Sequence, residues 1–111
     1  MTNDELNRKV AELRGWKIDG LTGNWIDEDG DSYDEYGTPP DYCLDPAMWG
    51  RLFIELVAEG NYVHLVYENR TRRYEGWVER PKPHFTTPPV FSDSPGRALC
   101  LAYVTTMEGP L

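Results

Sequence analysis

The sequence predicts an α+β fold in which three helices pack against a small antiparallel sheet. Three segments carry helix start signals followed by apolar residues at helical spacing. Between them lie two pairs of short extended runs, each pair joined by turn residues. The order is therefore helix, hairpin, helix, hairpin, helix, which favours a sandwich-like arrangement of layers. A chain of 111 residues is expected to form one domain spanning residues 1–111.

The N-terminal segment predicts a complete first helix. Thr2 and Glu5 have the spacing of a capping box, in which each side chain accepts a hydrogen bond from a backbone N–H of the first turn. Gly15 follows the last apolar position, where a left-handed C-terminal cap is easiest to form. The apolar stripe between these ends consists of Leu6, Val10 and Leu13.

A hairpin and a long loop are expected next. Trp16–Ile18 and Asn24–Ile26 are short extended runs, separated by a five-residue connection that contains two glycines. The stretch Asp27–Tyr42 is acidic and rich in turn residues, so we interpret it as a long loop. Loops of this length in small domains are often functional.

The middle of the chain predicts a second helix and a second hairpin. Asp45 and Pro46 have the features of an N-cap and a first helical residue, and Gly60 those of a stop. Strands are expected at 62–68, where apolar residues alternate, and at 73–80. Gly76 inside the second strand predicts a bulge or a close approach of another backbone.

The last segment predicts a proline-rich connection and a third helix. Pro81–Pro89 contains four prolines and is expected to be extended, outside any central strand position. Val90 and Phe91 are candidates for a short edge strand. Ser94 and Pro95 begin a helix that Gly109 and Pro110 would end.

The net charge of −8 argues against a general nucleic-acid binder and against adhesion to anionic membranes. The chain shows no signal peptide pattern and no apolar run long enough for a bilayer, so a cytoplasmic protein is expected. Charge is unevenly distributed. Between Asp27 and Asp45 there are eight carboxylates and no Lys or Arg. The basic side chains cluster later, at Arg70, Arg72, Arg73, Arg80 and Lys82.

Residues able to support catalysis or metal binding are sparse. Cys43 and Cys100 have no CxxC context and are interpreted as free thiols. His64 and His84 have no partner at metal-ligand spacing. The run that begins at Asp27 starts like a calcium loop, but Ser32 replaces the expected glycine and no helix flanks it. We therefore expect no catalytic residue, no metal and no cofactor, and hence a protein that is not an enzyme.

Four segments carry a resemblance to a known family: ELNRKVAELRGW, GNWIDEDGD, DPAMWGRLFIELV and SPGRALCLAYV, in this order. Together they resemble the small phage and prophage proteins of the phage ABA-sandwich domain family. The resemblance implies a layered α/β sandwich and an origin in a bacteriophage or prophage. It carries over no catalytic motif. Small phage proteins of this kind commonly act on the host, including as antagonists of its defences.

The first functional hypothesis is counter-defence, in which the chain binds and occludes a host immune component such as a CRISPR effector, in the cytoplasm of the infected bacterium. Spaced carboxylates can imitate a phosphate backbone and occupy a basic groove meant for nucleic acid, and interleaved aromatic residues can anchor the contact. The partner-binding residues expected from this hypothesis are Asp29, Asp31, Tyr33, Asp34, Glu35 and Tyr36.

Two alternatives remain open. Arginine side chains bind phosphates and aromatic rings stack on bases, so the second hairpin could instead hold a cyclic-nucleotide immune signal. The nucleotide-binding residues of that alternative are Arg70, Arg72, Arg73, Tyr74 and Trp77. The other alternative is an oligomeric structural module, with Trp77 and the proline-rich edge as its interface.

Overall fold

The structure is a computed structural model that describes residues 1–30, 32–33, 39–81, 84–86 and 88–108; at 32–33 and 84–86 the description covers the backbone. The helices are α1 (Asn3–Leu13), α2 (Pro46–Ala58) and α3 (Pro95–Glu108). A first antiparallel sheet contains β1 (Lys17–Ile18), β2 (Trp25–Ile26) and β3 (Ser32–Tyr33). A second contains β4 (Tyr62–Glu68), β5 (Arg73–Pro81), β6 (His84–Thr86) and β7 (Val90–Ser92). The predicted α+β class is confirmed.

The ends of α1 and α2 lie where their caps predict. The hydroxyl of Thr2 accepts a hydrogen bond from the backbone N–H of Glu5 at 3.2 Å, and the Glu5 carboxylate completes the capping box. The carboxylate of Asp45 accepts from the N–H of Ala47 at 3.0 Å. Gly15 and Gly60 both have a φ of +91°, a left-handed conformation that costs glycine little. Local capping chemistry therefore sets the limits of both helices.

The first sheet confirms the predicted hairpin and adds a strand to it. Lys17 pairs with Ile26 and Ile18 with Trp25. The chain then turns at Asp27–Gly30, and β3 pairs with β2. The prediction of an uninterrupted loop over Asp27–Tyr42 was wrong at this strand. Two residues are too few to show an alternating pattern, and the edge of β2 supplies the pairing.

The second sheet is built on the predicted β4–β5 hairpin, with Tyr62 opposite Glu79 and Glu68 opposite Arg73. The other side of β5 pairs with β6 near its C-terminal end and with β7 near its start. The expected edge strand at Val90–Phe91 is therefore confirmed. The proline-rich connection also contains β6, which the sequence did not indicate; β6 itself has no proline and lies at the margin of the sheet.

Helix α3 lies between the second sheet and α1, while α2 packs beside α3 and contacts β4. The predicted close approach at Gly76 is confirmed, because a Cβ there would lie 2.5 Å from the carbonyl oxygen of Ala98 in α3. The helices thus cover one face of the second sheet, which we call the inner face. Within the described residues, no helix has the length and apolar character needed to span a bilayer.

Both faces of α3 contribute to the core, because the sheet covers one side and α1 the other. Its hydroxyl-bearing Thr106 is fully buried and donates a hydrogen bond to the carbonyl of Val78 at 2.9 Å, so the polar group is satisfied. The largest fully buried apolar side chains are Trp25, Leu6, Leu52, Leu56, Leu99, Val10 and Val78. Residues from all three helices and both sheets therefore meet in one core.

Candidate protein-binding surfaces

Two of the six residues proposed for partner binding, Asp29 and Tyr33, are described by the structure, at the turn after β2 and in β3. Asp29 lies at this turn with an exposed side chain, and its backbone N–H donates to the carboxylate of Asp27 at 2.9 Å. Tyr33 lies in β3 opposite Trp25. Asp31, Asp34, Glu35 and Tyr36 lie outside the described residues. Of the six predicted residues, Asp29 is the one whose side chain the structure places on the surface.

Three neighbouring carboxylates have structural roles. Glu28 forms an ion pair with Arg51 of α2 at 2.5 Å. Asp41 accepts hydrogen bonds from the Asn7 side chain and the backbone N–H of Leu44, both at 3.2 Å. Asp45 caps α2. The acidic stretch therefore partly stabilises the fold, and fewer of its charges are available to a partner than the sequence suggests.

The Glu28–Arg51 pair belongs to a larger ion-pair network between α1 and α2. Arg51 also bonds Glu55 at 2.6 Å. Arg14, which caps α1, bonds Glu55 at 2.8 Å and makes a two-pronged contact with Glu59 at 2.8 and 2.9 Å. Hydrogen bonding from Arg14 lowers the pKa of Glu59. This network fixes the turn that carries Asp29 against the second helix.

The basic tip of the second hairpin does not form one pocket with its aromatic neighbours. Arg70, Arg72 and Arg73 are all exposed. Tyr74 stacks on Tyr67, with ring centroids 5.0 Å apart, on the inner face of the sheet. Trp77 is three positions further along β5 and therefore lies on the opposite face.

On that opposite face Trp77 makes an edge contact with His64, at 5.9 Å between centroids. The structure thus separates the two aromatic residues that the cyclic-nucleotide hypothesis would use together. A cysteine nucleophile needs a nearby base such as histidine, but His64 is exposed on this sheet face whereas Cys100 is fully buried in α3.

The face of the second sheet opposite the helices includes Arg73 and Trp77, but its row of exposed apolar side chains was not predicted from the sequence. We call this face the open face. Its apolar side chains are well exposed: 70% for Tyr62, 45% for Val66 and 45% for Phe91. Val66, Glu75 and Phe91 lie side by side across three strands. The alternating sequence of β4 indicates that its side chains point to two opposite faces of the sheet. The packing of α3 on one face shows which side chains remain exposed on the other.

Carboxylates alternate with these apolar groups on the open face. Glu79 lies opposite Tyr62, and Glu75 lies between Val66 and Phe91. Among the described side chains of β4 and β5, the one Lys or Arg on this face is Arg73, directly opposite Glu68. Facing side chains of this kind are within reach of one another, so the face combines hydrophobic area with a negative charge excess.

The two cysteines are free and buried, as expected, and the fold brings them into contact. The hydrogen bond between the thiols and the burial of Cys100 raise the pKa of Cys100. Cys43 is held in place by its backbone N–H, which donates to the Asn7 side chain at 3.0 Å. A buried thiol that stays protonated is a poor nucleophile, so the geometry favours a packing role for Cys100.

Among the described residues, no group of His, Cys, Asp and Glu side chains is arranged to hold a metal ion. A depression of about 410 Å³ is lined by Glu59, Asn61, Arg80, Pro81 and Met107. Glu59 and Arg80 give its lining unlike charges. No family model, curated protein or solved structure matches this chain.

Proposed function

We propose that this chain is a non-catalytic binding protein that occludes a basic surface of a partner protein through its open face. The observation that carries the proposal is the row of Val66, Glu75 and Phe91, in which a carboxylate stands between two exposed apolar side chains. Interfaces combine apolar anchors with complementary charge in this way. A partner with Lys or Arg side chains beside an apolar strip would match the row.

The overall charge supports the same proposal. A net charge of −8 produces a negative field that attracts a basic partner and raises the rate of encounter. Asp29, exposed at the turn after β2, adds to that field from the first sheet. In this proposal the open face supplies the anchoring contact, and the acidic turn contributes to steering.

The finer part of the proposal is the identity of the partner. We propose a host defence protein, such as a CRISPR effector with a basic nucleic-acid groove, and a phage or prophage origin for the chain. The support is the resemblance of four segments to the phage ABA-sandwich family, together with the negative charge. A protein that fills such a groove displaces nucleic acid by competing for the same cations.

The test is a phage-plating assay in bacteria whose CRISPR immunity targets the phage. The chain is expected to restore plating, and the double variant Glu75→Lys with Phe91→Lys to lose at least about 100-fold of that effect, because it removes one anchor and reverses the local charge. The matched control is Glu12→Lys, an exposed charge reversal on α1.

Three outcomes distinguish a contact through the open face from a general charge effect and from a contact through the acidic turn. Equal loss in the Glu12→Lys control would show that overall charge, and not the open face, determines the effect. Loss in Asp29→Lys with an unaffected open-face double variant would transfer the contact to the acidic turn. No restoration of plating against any effector type tested would contradict the counter-defence proposal.

A further inference from the structure

Strand β4 is an edge strand of the second sheet. Its one described neighbour is β5, with seven consecutive residue pairs from Tyr62–Glu79 to Glu68–Arg73. On its other side no described residue continues the sheet. A strand with one neighbour leaves half of its backbone N–H and C=O groups directed outward, which is a template for a further strand.

The seven residues of β4 lack the sequence features that normally prevent such pairing. Soluble proteins protect an edge with lysine, proline, a bulge or a very short strand. Strand β4 has no Lys or Pro, and its register with β5 runs without a bulge. Its single carboxylate, Glu68, is at the very end. The remaining residues are apolar or aromatic, apart from His64.

We propose that two copies of this chain join through their β4 strands, antiparallel, with Leu65 of one copy opposite Leu65 of the other. This is the symmetric register in which all seven residues of both strands are paired, as a two-fold dimer requires. Registers displaced in either direction leave residues at the strand ends without a partner.

The side chains of β4 are complementary in this register. On the inner face Val63 meets Tyr67 of the second copy, on either side of the central leucine pair. On the open face His64 meets Val66 of the second copy, and Tyr62 meets Glu68. No position brings two like charges together, and the carboxylate faces a tyrosine hydroxyl that can donate to it.

Helix α2 adds apolar surface beside the same edge. It contacts β4 and lies in the same layer as α3, on the inner side of the sheet. Two of its apolar side chains remain well exposed, Ile54 at 70% and Val57 at 50%. Joining two β4 strands places the two α2 helices on the same side of the continuous sheet, where exposed apolar side chains are available to further contacts.

The oligomeric state tests the proposal directly. We expect sedimentation velocity of the full chain to show a dimer that dissociates on dilution. The double variant His64→Lys with Val66→Lys places lysines opposite one another across the two-fold axis and should weaken the dimer about tenfold or more. Both side chains are exposed, so the variant should fold, as a circular dichroism melt can verify.

The matched control is Phe91→Lys, which alters an equally exposed side chain on the open face but on β7, away from the edge. It should leave the dimer intact. A monomer at every concentration, or a dimer that resists the double lysine variant, would overturn the proposal. Phe91→Lys should impair the proposed contact with the partner protein and spare the dimer. Failure of the dimer proposal is therefore distinguishable from failure of the proposed function.

Cysteine cross-linking tests the register. The His64→Cys and Val66→Cys variants are mixed and treated with diamide. They should form a mixed cross-linked dimer, because diamide is reduced as the two thiols are oxidised to a disulfide. Facing residues of paired strands have the separation that a disulfide needs. The native cysteines are buried and should not interfere. His64→Cys mixed with Phe91→Cys should give no cross-link, and equal cross-linking in both mixtures would contradict the register.

Discussion

Replacing Gly76 by alanine should separate the second sheet from α3. The Cβ that alanine adds would lie 2.5 Å from the carbonyl oxygen of Ala98, 2.9 Å from its carbonyl carbon and 3.4 Å from its Cβ. The first two of these atoms belong to the backbone of α3, which cannot rotate away as a flexible side chain could. The new methyl group can therefore be accommodated only if β5 and α3 move apart.

The loss of stability in Gly76→Ala can be estimated from the distance between the added Cβ and the backbone of Ala98. Restoring ordinary van der Waals contact requires a displacement of about 1 Å at the centre of the core. Overpacking a core by one methyl group commonly costs about 1–3 kcal/mol, and a rigid backbone neighbour favours the upper part of that range. The backbone entropy that glycine loses on folding offsets less than about 1 kcal/mol of this.

Urea unfolding followed by tryptophan fluorescence measures the change, with Gly50→Ala as the matched control. Gly50 is in the interior of α2, and a Cβ there would meet nothing within 4 Å. Alanine at that position should raise the free energy of unfolding by about 0.5–1 kcal/mol through helix propensity. The two substitutions, identical in chemistry, should thus act in opposite directions. A Gly76→Ala variant as stable as the wild type would refute the argument that α3 lies directly on the strand backbone.

Two further predictions concern electrostatics and capping. Because Arg14 lowers the pKa of Glu59, the pair stabilises the fold above the unfolded glutamate pKa of about 4.3 and ceases to do so as pH falls through the lower folded value. The stability difference between wild type and Glu59→Gln, about 0.5 kcal/mol at pH 7 for so exposed a carboxylate, should shrink in urea titrations as pH falls below about 4.3. Asp45→Ala removes the acceptor for the Ala47 N–H and should cost about 1 kcal/mol, whereas Asp29→Ala, at an exposed turn, should change the urea midpoint little.

The helices were predictable from sequence because their signals are local. Thr2 and Glu5 satisfy each other within one turn, and Asp45 acts on a residue two positions away. The strands β4 and β5 were predictable because they are seven and nine residues long, which is enough for apolar residues to show a period of two. Strands β3 and β6 were missed because two or three residues carry no period, and their pairing depends on an edge that another segment provides.

The candidate site depended on information that is not local. Alternation divides β4 into two sets of side chains, but the sequence does not state which set the helices cover. That assignment comes from Gly76, whose missing side chain admits α3 on one face. In the same way, Cys43 and Cys100 are far apart in sequence but in contact in the fold. Glu28 forms an ion pair with Arg51, which lies in the next helix.

The contact between Gly76 and Ala98 has a mechanical consequence. Helices normally pack on sheets through intervening side chains, which can change rotamer, but here main chain rests on main chain. A displacement of β5 should therefore move α3 with it, and α1 on the far side of α3. Occupation of that outer surface should accordingly slow amide hydrogen exchange in the N-terminal helix, two layers away.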